Sequence, residues 1–143
     1  MSLAGVVEVL GGEKVLRQRI HSRLDLIALG RKGVPKEALV QLAHFLSCTI
    51  HEVADLLPVT ERTLQRYTLE QPLNQVVSEH ILQLAEVVAK GVEVFADKAA
   101  FLAWLHHPNI ALANHTPLSL LSSRFGAEMV LDEFGRLEHG IVA

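Results

Sequence analysis

The sequence predicts an all-α protein, and three observations carry that expectation. Apolar residues recur at helical spacing along almost the whole chain, while the period-two alternation of a half-buried strand is hardly visible. Of 143 residues, 50% are hydrophobic but only 5% aromatic, so the apolar bulk is Leu, Val, Ile and Ala. Helix-capping residues recur between Gly and Pro breaks. The high apolar fraction also hints at surface buried against a second chain.

The elements follow in order. After a short apolar start closed by Gly11-Gly12, Leu16, Ile20, Leu24 and Ile27 form a stripe that reads as one helix ending at Gly30. Pro35 suits the first turn of the next helix. Its stripe is Leu39, Leu42, Ala43 and Leu46, and Ser47-Cys48-Thr49 breaks it. Thr49 and Glu52 have the spacing of a capping box and open a short helix through Leu57. Pro58 stops that helix, and Thr60 caps another running to about Tyr67. The segment 69–74 reads as a linker. It divides a first domain, 1–72, comprising a helix-turn-helix with an N-terminal helical extension, from a second, 73–143.

Beyond it Val77, Ile81, Leu84, Val88, Val92 and Phe95 hold one stripe, the longest periodic signal in the chain and the expected core shared between copies. Asp97 caps a further helix that Pro108 ends, 109–115 is irregular, and Thr116-Pro117 restarts the helical pattern. Ala127, Val130, Leu131, Phe134 and Leu137 make a last amphipathic helix, with Glu128, Asp132 and Glu133 as its polar face.

The net charge of -3 hides an asymmetry. Nine Lys/Arg oppose eight acids in 1–72, a net of +1, whereas four oppose eight in 73–143, a net of -4. Between Lys14 and Lys36, seven basic residues face only Asp25, a positive face if that stretch is one helix. The one cysteine, Cys48, forms no internal disulfide and reads as a small core residue. The N-terminus has no basic region before Glu8 and so does not read as a secretory signal. No stretch approaches the roughly 20 apolar residues of a membrane span. A cytoplasmic protein with no membrane partner is expected.

Residues 52–67 have the spacing of a helix-turn-helix. Ala54 falls where the two helices cross closely, and Val59 and Leu64 anchor the second on the first. Thr60, Glu61, Arg62, Thr63, Gln65 and Arg66 are left outward as candidate contacts to DNA phosphates and base edges. Proline at position 58 bars the left-handed turn that such motifs commonly place there. Eight histidines are present, but His106 and His107 are adjacent and point apart, and no Cys pair or His-x3-His spacing accompanies the others. Neither a phosphate loop nor a nucleophile elbow is found. No metal, no cofactor and no enzymatic activity are expected.

A distinctive series fills the second half: Ala100-Phe101-Leu102-Ala103-Trp104-Leu105, His107-Pro108-Asn109, Leu112, Thr116-Pro117-Leu118, Leu121, Gly126, Val130 and Arg136-Leu137-Glu138-His139-Gly140. In this order it resembles the C-terminal toxin-binding domain of the Xre/MbcA/ParS-type antitoxins, and the preceding helix-turn-helix is similar to the Xre-like domain of that family. Two positions depart from the family pattern. Ala113-Asn114-His115 stands where Gly-Gly is common, and Thr63-Leu64-Gln65-Arg66 where an Arg-rich helix is common.

The resemblance implies an antitoxin of a type II toxin-antitoxin pair. Its implied partners are a RES-domain or ParT-like toxin that uses NAD, operator DNA and a second copy of the chain. It further implies that the C-terminal end enters the toxin's cleft and that the antitoxin represses its own operon. Trp104, Arg136, Glu138, Gly140, Ile141, Val142 and Ala143 are the toxin-binding candidates, with Glu138 or the terminal carboxylate set against a cationic pyrophosphate site. From the residues alone, Trp104 is equally suited to core or interface, and Arg136 with Glu138 to a solvent-exposed pair. A dimeric helix-turn-helix regulator without a toxin is the alternative.

Overall fold

A computed structural model describes residues 2–140, and its regular elements are helices. In order they form α1 (Leu3–Val9), α2 (Glu13–Leu16), α3 (Arg23–Lys32), α4 (Lys36–Phe45), α5 (Ile50–Ala54), α6 (Glu61–Leu64), α7 (Gln75–Phe95), α8 (Lys98–Leu105), a 3-10 turn (Ile110–Leu112), α9 (Pro117–Leu120) and α10 (Arg124–Glu138). No β-strand occurs among the described residues, only two isolated bridges, Pro35 with Pro72 and Asn109 with His115. The chain divides into two compact units, Met1–Ala89 and Lys90–Ala143.

In the first unit the core is aliphatic. Leu39, Leu42, Ala43 and Leu46 of the α4 stripe are all buried, as expected. The single helix expected from Leu16 to Gly30 is instead two, α2 and α3. Arg17 takes a left-handed backbone (φ 57°) that ends α2 after one turn. Two carboxylates then stabilise the break: Glu13 accepts the backbone N–H of Ile20 at 2.9 Å, and Asp25 accepts those of His21 and Ser22 at 2.7 and 3.2 Å. The helix that restarts at Arg23 buries Leu26, Leu29 and Gly30 and leaves Leu24 and Ile27 more than half exposed. The seven basic residues from Lys14 to Lys36 therefore share no single helix face. Arg23 pairs with Glu86 at 3.2 Å, and the Lys36 ammonium donates to the Tyr67 carbonyl at 3.1 Å.

Nor is the segment 69–74 a linker. Its backbone is hydrogen-bonded to the start of α4: the N–H groups of Lys36 and Glu37 donate to the carbonyls of Gln71 and Leu69 at 3.0 and 2.9 Å, and Leu73 donates to Val34 at 2.8 Å. Leu73 is buried beneath this pairing. Gly33 makes the approach possible, because its φ of 108° suits glycine and a Cβ there would press on the Leu73 carbonyl and Pro72. One buried hydroxyl completes the join, with Ser78 accepting the Val34 N–H at 2.8 Å and donating to the Leu73 carbonyl at 3.1 Å. The compact units consequently meet inside α7, between Ala89 and Lys90, and not after residue 72.

The α7 stripe is present, but its chain-internal burial departs from the expectation of a core shared between copies. Val77, Ile81, Leu84 and Val88 are covered within the chain, and Leu82, Ala85, Val87 and Ala89 are buried beside them. A helix covered over so much of its circumference between Val77 and Ala89 is buried within its own chain there, while Val92 and Phe95 are half-buried.

In the second unit Asp97 caps α8 by accepting the Ala99 N–H at 3.0 Å. Thr116 caps α9 with Pro117 in its first turn, as the sequence predicts. The stretch 109–115 is ordered, a 3-10 turn closed by the Asn109 N–H donating to the His115 carbonyl at 3.1 Å. Ser123 caps α10 by accepting the Gly126 N–H at 3.0 Å, and Gly126 itself lies so close to the Leu120 carbonyl that no side chain fits. Val130 and Phe134 of α10 are buried, whereas Leu131 and Leu137 are 40% and 41% exposed.

Candidate functional site

In the first unit, α5, a turn and α6 make the helix-turn-helix. The capping box is formed: Thr49 Oγ1 accepts the Glu52 N–H at 3.1 Å, and Glu52 Oε1 accepts the Thr49 N–H at 2.9 Å. Ala54 and Leu64 are buried at the crossing and Val59 is half-buried. Proline at 58 is accommodated because α5 ends early, at Ala54, and not at Leu57. The Leu56 and Leu57 N–H groups then bond the Val53 and Ala54 carbonyls at 3.0 Å each, and Val59 donates to Leu57 at 2.8 Å. Within 55–59 no residue adopts positive φ, so the turn differs from the left-handed one that proline forbids. Regular helix ends at Leu64, earlier than expected. The next turn continues to Tyr67 through tighter bonds, Arg66 to Thr63 at 3.2 Å and Tyr67 to Leu64 at 3.0 Å.

The six DNA candidates are not equivalent. Thr60 and Thr63 are joined hydroxyl to hydroxyl at 2.9 Å, and Thr60 also accepts the Thr63 N–H at 3.1 Å, so both serve the cap. Glu61 faces the His51 ring at 3.5 Å, and the other nitrogen of that ring lies 3.6 Å from Asp55. Arg62, Gln65 and Arg66 are exposed. The two guanidiniums, four positions apart, give this short segment its positive outer side.

In the second unit the toxin-binding candidates fall into two groups. Trp104 sits in an aromatic cluster, its ring centroid 5.4 Å from those of both Phe95 and Phe134, with Phe101 5.7 Å from Phe95 and 6.1 Å from Phe134. It is half-buried, so it belongs to the core on one side and reaches solvent on the other. Arg136 and Glu138 do not pair with each other. Arg136 Nη1 donates to Glu133 Oε1 at 2.9 Å, and Lys90 Nζ donates to Glu138 Oε2 at 3.0 Å. Gly140 ends the described chain with a φ of 71°, while Ile141, Val142 and Ala143 lie outside the described residues.

Glu133 departs from the expected polar face: it is 2% exposed. Helical spacing held the clue, since 126, 130, 133 and 134 fall on one side of α10. For Lys90 no local signal exists, because its partner lies 48 positions away. Among the described residues no group of three or more His, Cys, Asp or Glu is placed to hold a metal ion. No described helix is long and apolar enough to cross a membrane.

Comparison with known proteins matches both units. Residues 25–86 match the antitoxin Xre-like helix-turn-helix domain, and residues 90–140 match the antitoxin Xre/MbcA/ParS C-terminal toxin-binding domain. An Antitoxin Xre of Yersinia enterocolitica (serotype O:8 / biotype 1B) is 38% identical over 65 residues, covering 45% of this chain and 44% of that protein. An Antitoxin Xre of Photorhabdus laumondii subsp. laumondii is 36% identical over 67 residues, covering 46% and 45%. The match thus spans somewhat less than half the length of these relatives. Proteins of this family are regulatory and toxin-binding, not enzymes. The chain therefore carries, one after the other, both domains of the Xre/MbcA/ParS-type antitoxins.

Proposed function

We propose that this protein neutralises a cognate toxin through residues 90–140 and binds its own operator DNA through residues around α5 and α6. The reading rests above all on one observation, the two family domains following each other in a single chain. It draws support from the exposed Arg62, Gln65 and Arg66 on the first unit and the charged end of α10 on the second. The toxin is a RES-domain or ParT-like protein that consumes NAD, and the C-terminal end from Glu138 to Ala143 enters its cleft, carboxylate against cationic pyrophosphate site. The antitoxin acts as a homodimer in the cytoplasm and represses its operon.

The test is co-expression with the polypeptide encoded beside it, followed by NAD consumption by that polypeptide with and without the chain. Suppression of NAD loss by the full chain, and its return when 139–143 are deleted, is the expected result. A full chain that neither co-purifies with that polypeptide nor slows NAD loss contradicts the reading and favours a regulator without a toxin.

A further inference from the structure

The one charged residue buried among the described residues is Glu133, at 2% exposure, and its ion pair reaches outward. Arg136 Nη1 donates to Glu133 Oε1 at 2.9 Å, one helical turn along α10, while the Arg136 side chain stays 48% exposed. Burying a carboxylate costs more than an exposed ion pair returns, so stability alone is a poor account of this pair. What the arrangement does provide is orientation. Arginine has a planar fork of donors, and fixing one edge of it to a rigid buried acceptor leaves the remaining donors aimed from the helix surface with little rotational freedom to lose on binding.

We infer that Glu133 is a positioning residue that presents Arg136 to a carboxylate side chain of the bound toxin. This deepens the antitoxin reading and rests on it. The recognised group is a carboxylate because the fork matches its two oxygens, and covering the site on association strengthens the contact by excluding water. The neighbouring pair supports the same end of α10 differently. Lys90 pairs with Glu138 at 3.0 Å on a different side of the helix, so the two acids do not compete for Arg136.

The test is the affinity of the full chain for the catalytically inactive toxin, measured for the parent, Arg136→Ala, Arg136→Lys, Glu133→Gln and the double variant Glu133→Gln/Arg136→Ala. Arg136→Ala is expected to weaken binding about thirtyfold and Arg136→Lys nearly as much, since lysine lacks the fork. Glu133→Gln is expected to weaken it about tenfold with little further loss in the Arg136→Ala background, because both changes remove the same contact. Glu133→Asp, which keeps the charge and shortens the arm, replaces Glu133→Gln if the amide variant does not fold. Parent binding with an unchanged affinity for Arg136→Ala overturns this inference alone, as does full additivity in the double variant. Absence of parent binding overturns the antitoxin reading and this inference with it.

Discussion

The rings of Trp104 and Phe134 stand 5.4 Å apart and tilted by 43°, holding α8 against α10 inside the second unit. Trp104→Ala should therefore lower stability by roughly 3 kcal/mol, the low end for removing a large aromatic, because one side of the ring is already exposed. Trp104→Phe should recover most of that. Thermal unfolding followed by circular dichroism checks the pair of variants. An alanine variant as stable as the parent would assign Trp104 to surface recognition alone.

The loop between Asn109 and His115 holds Ala113 and Asn114 at φ 56° and 64°, a left-handed pair of non-glycine residues. Asn tolerates this backbone, but alanine is strained by about 1–2 kcal/mol. Ala113→Gly removes that strain and returns part of the gain as chain entropy, for a net stabilisation of roughly 0.5–1 kcal/mol. A denaturant midpoint that moves upward at constant slope is the expected outcome. A lower midpoint would mean that the methyl group contributes more than the strain removes.

Capping chemistry was the most legible part of the fold, since Thr49 with Glu52, Asp97 and Thr116-Pro117 act locally and their spacing is sufficient. The break at Arg17 was not legible, because a helical period runs through Leu16, Ile20, Leu24 and Ile27 whether or not the backbone reverses between them. The pairing of 69–74 with the start of α4 was hidden for the opposite reason: polar, Pro-containing composition reads as solvent-exposed linker until a distant partner supplies the hydrogen bonds. At the candidate site the residue types were legible but not their pairings. Arg136 and Glu138 stand two apart in sequence and on different sides of α10, and each found a different partner, Glu133 and Lys90.

Cys48 carries a pH signature. Partial burial, and secondarily the Glu52 carboxylate, push its thiol up from 9.0 to about 11. A raised folded-state value means that the folded chain keeps its proton where the unfolded chain has lost it. The stabilisation is complete below pH 9 and is lost as pH rises towards about 11. Thermal midpoints at pH 8 and pH 10 should therefore fall more steeply for the parent than for Cys48→Ala. Parallel pH profiles would remove the thiol from the account.

On DNA, Arg62 and Arg66 are expected to act through phosphates. Each change to Ala should reduce the slope of log affinity against log salt by about 1 and weaken binding to operator and unrelated duplex alike. Gln65→Ala should instead lower the operator preference and leave the salt slope unchanged. Fluorescence anisotropy at several salt concentrations separates the two. An unchanged slope for both arginine variants would place the phosphate contacts elsewhere.

The proposed function places neutralisation in residues 90–140 and makes it independent of Arg62 and Arg66 in the first unit. It is tested most directly by the growth of cells expressing the toxin together with the Arg62→Ala/Arg66→Ala chain. Growth equal to that with the unaltered chain, from a protein that no longer retards operator DNA, is the expected result. Loss of rescue by a variant that accumulates to the same level would contradict the account.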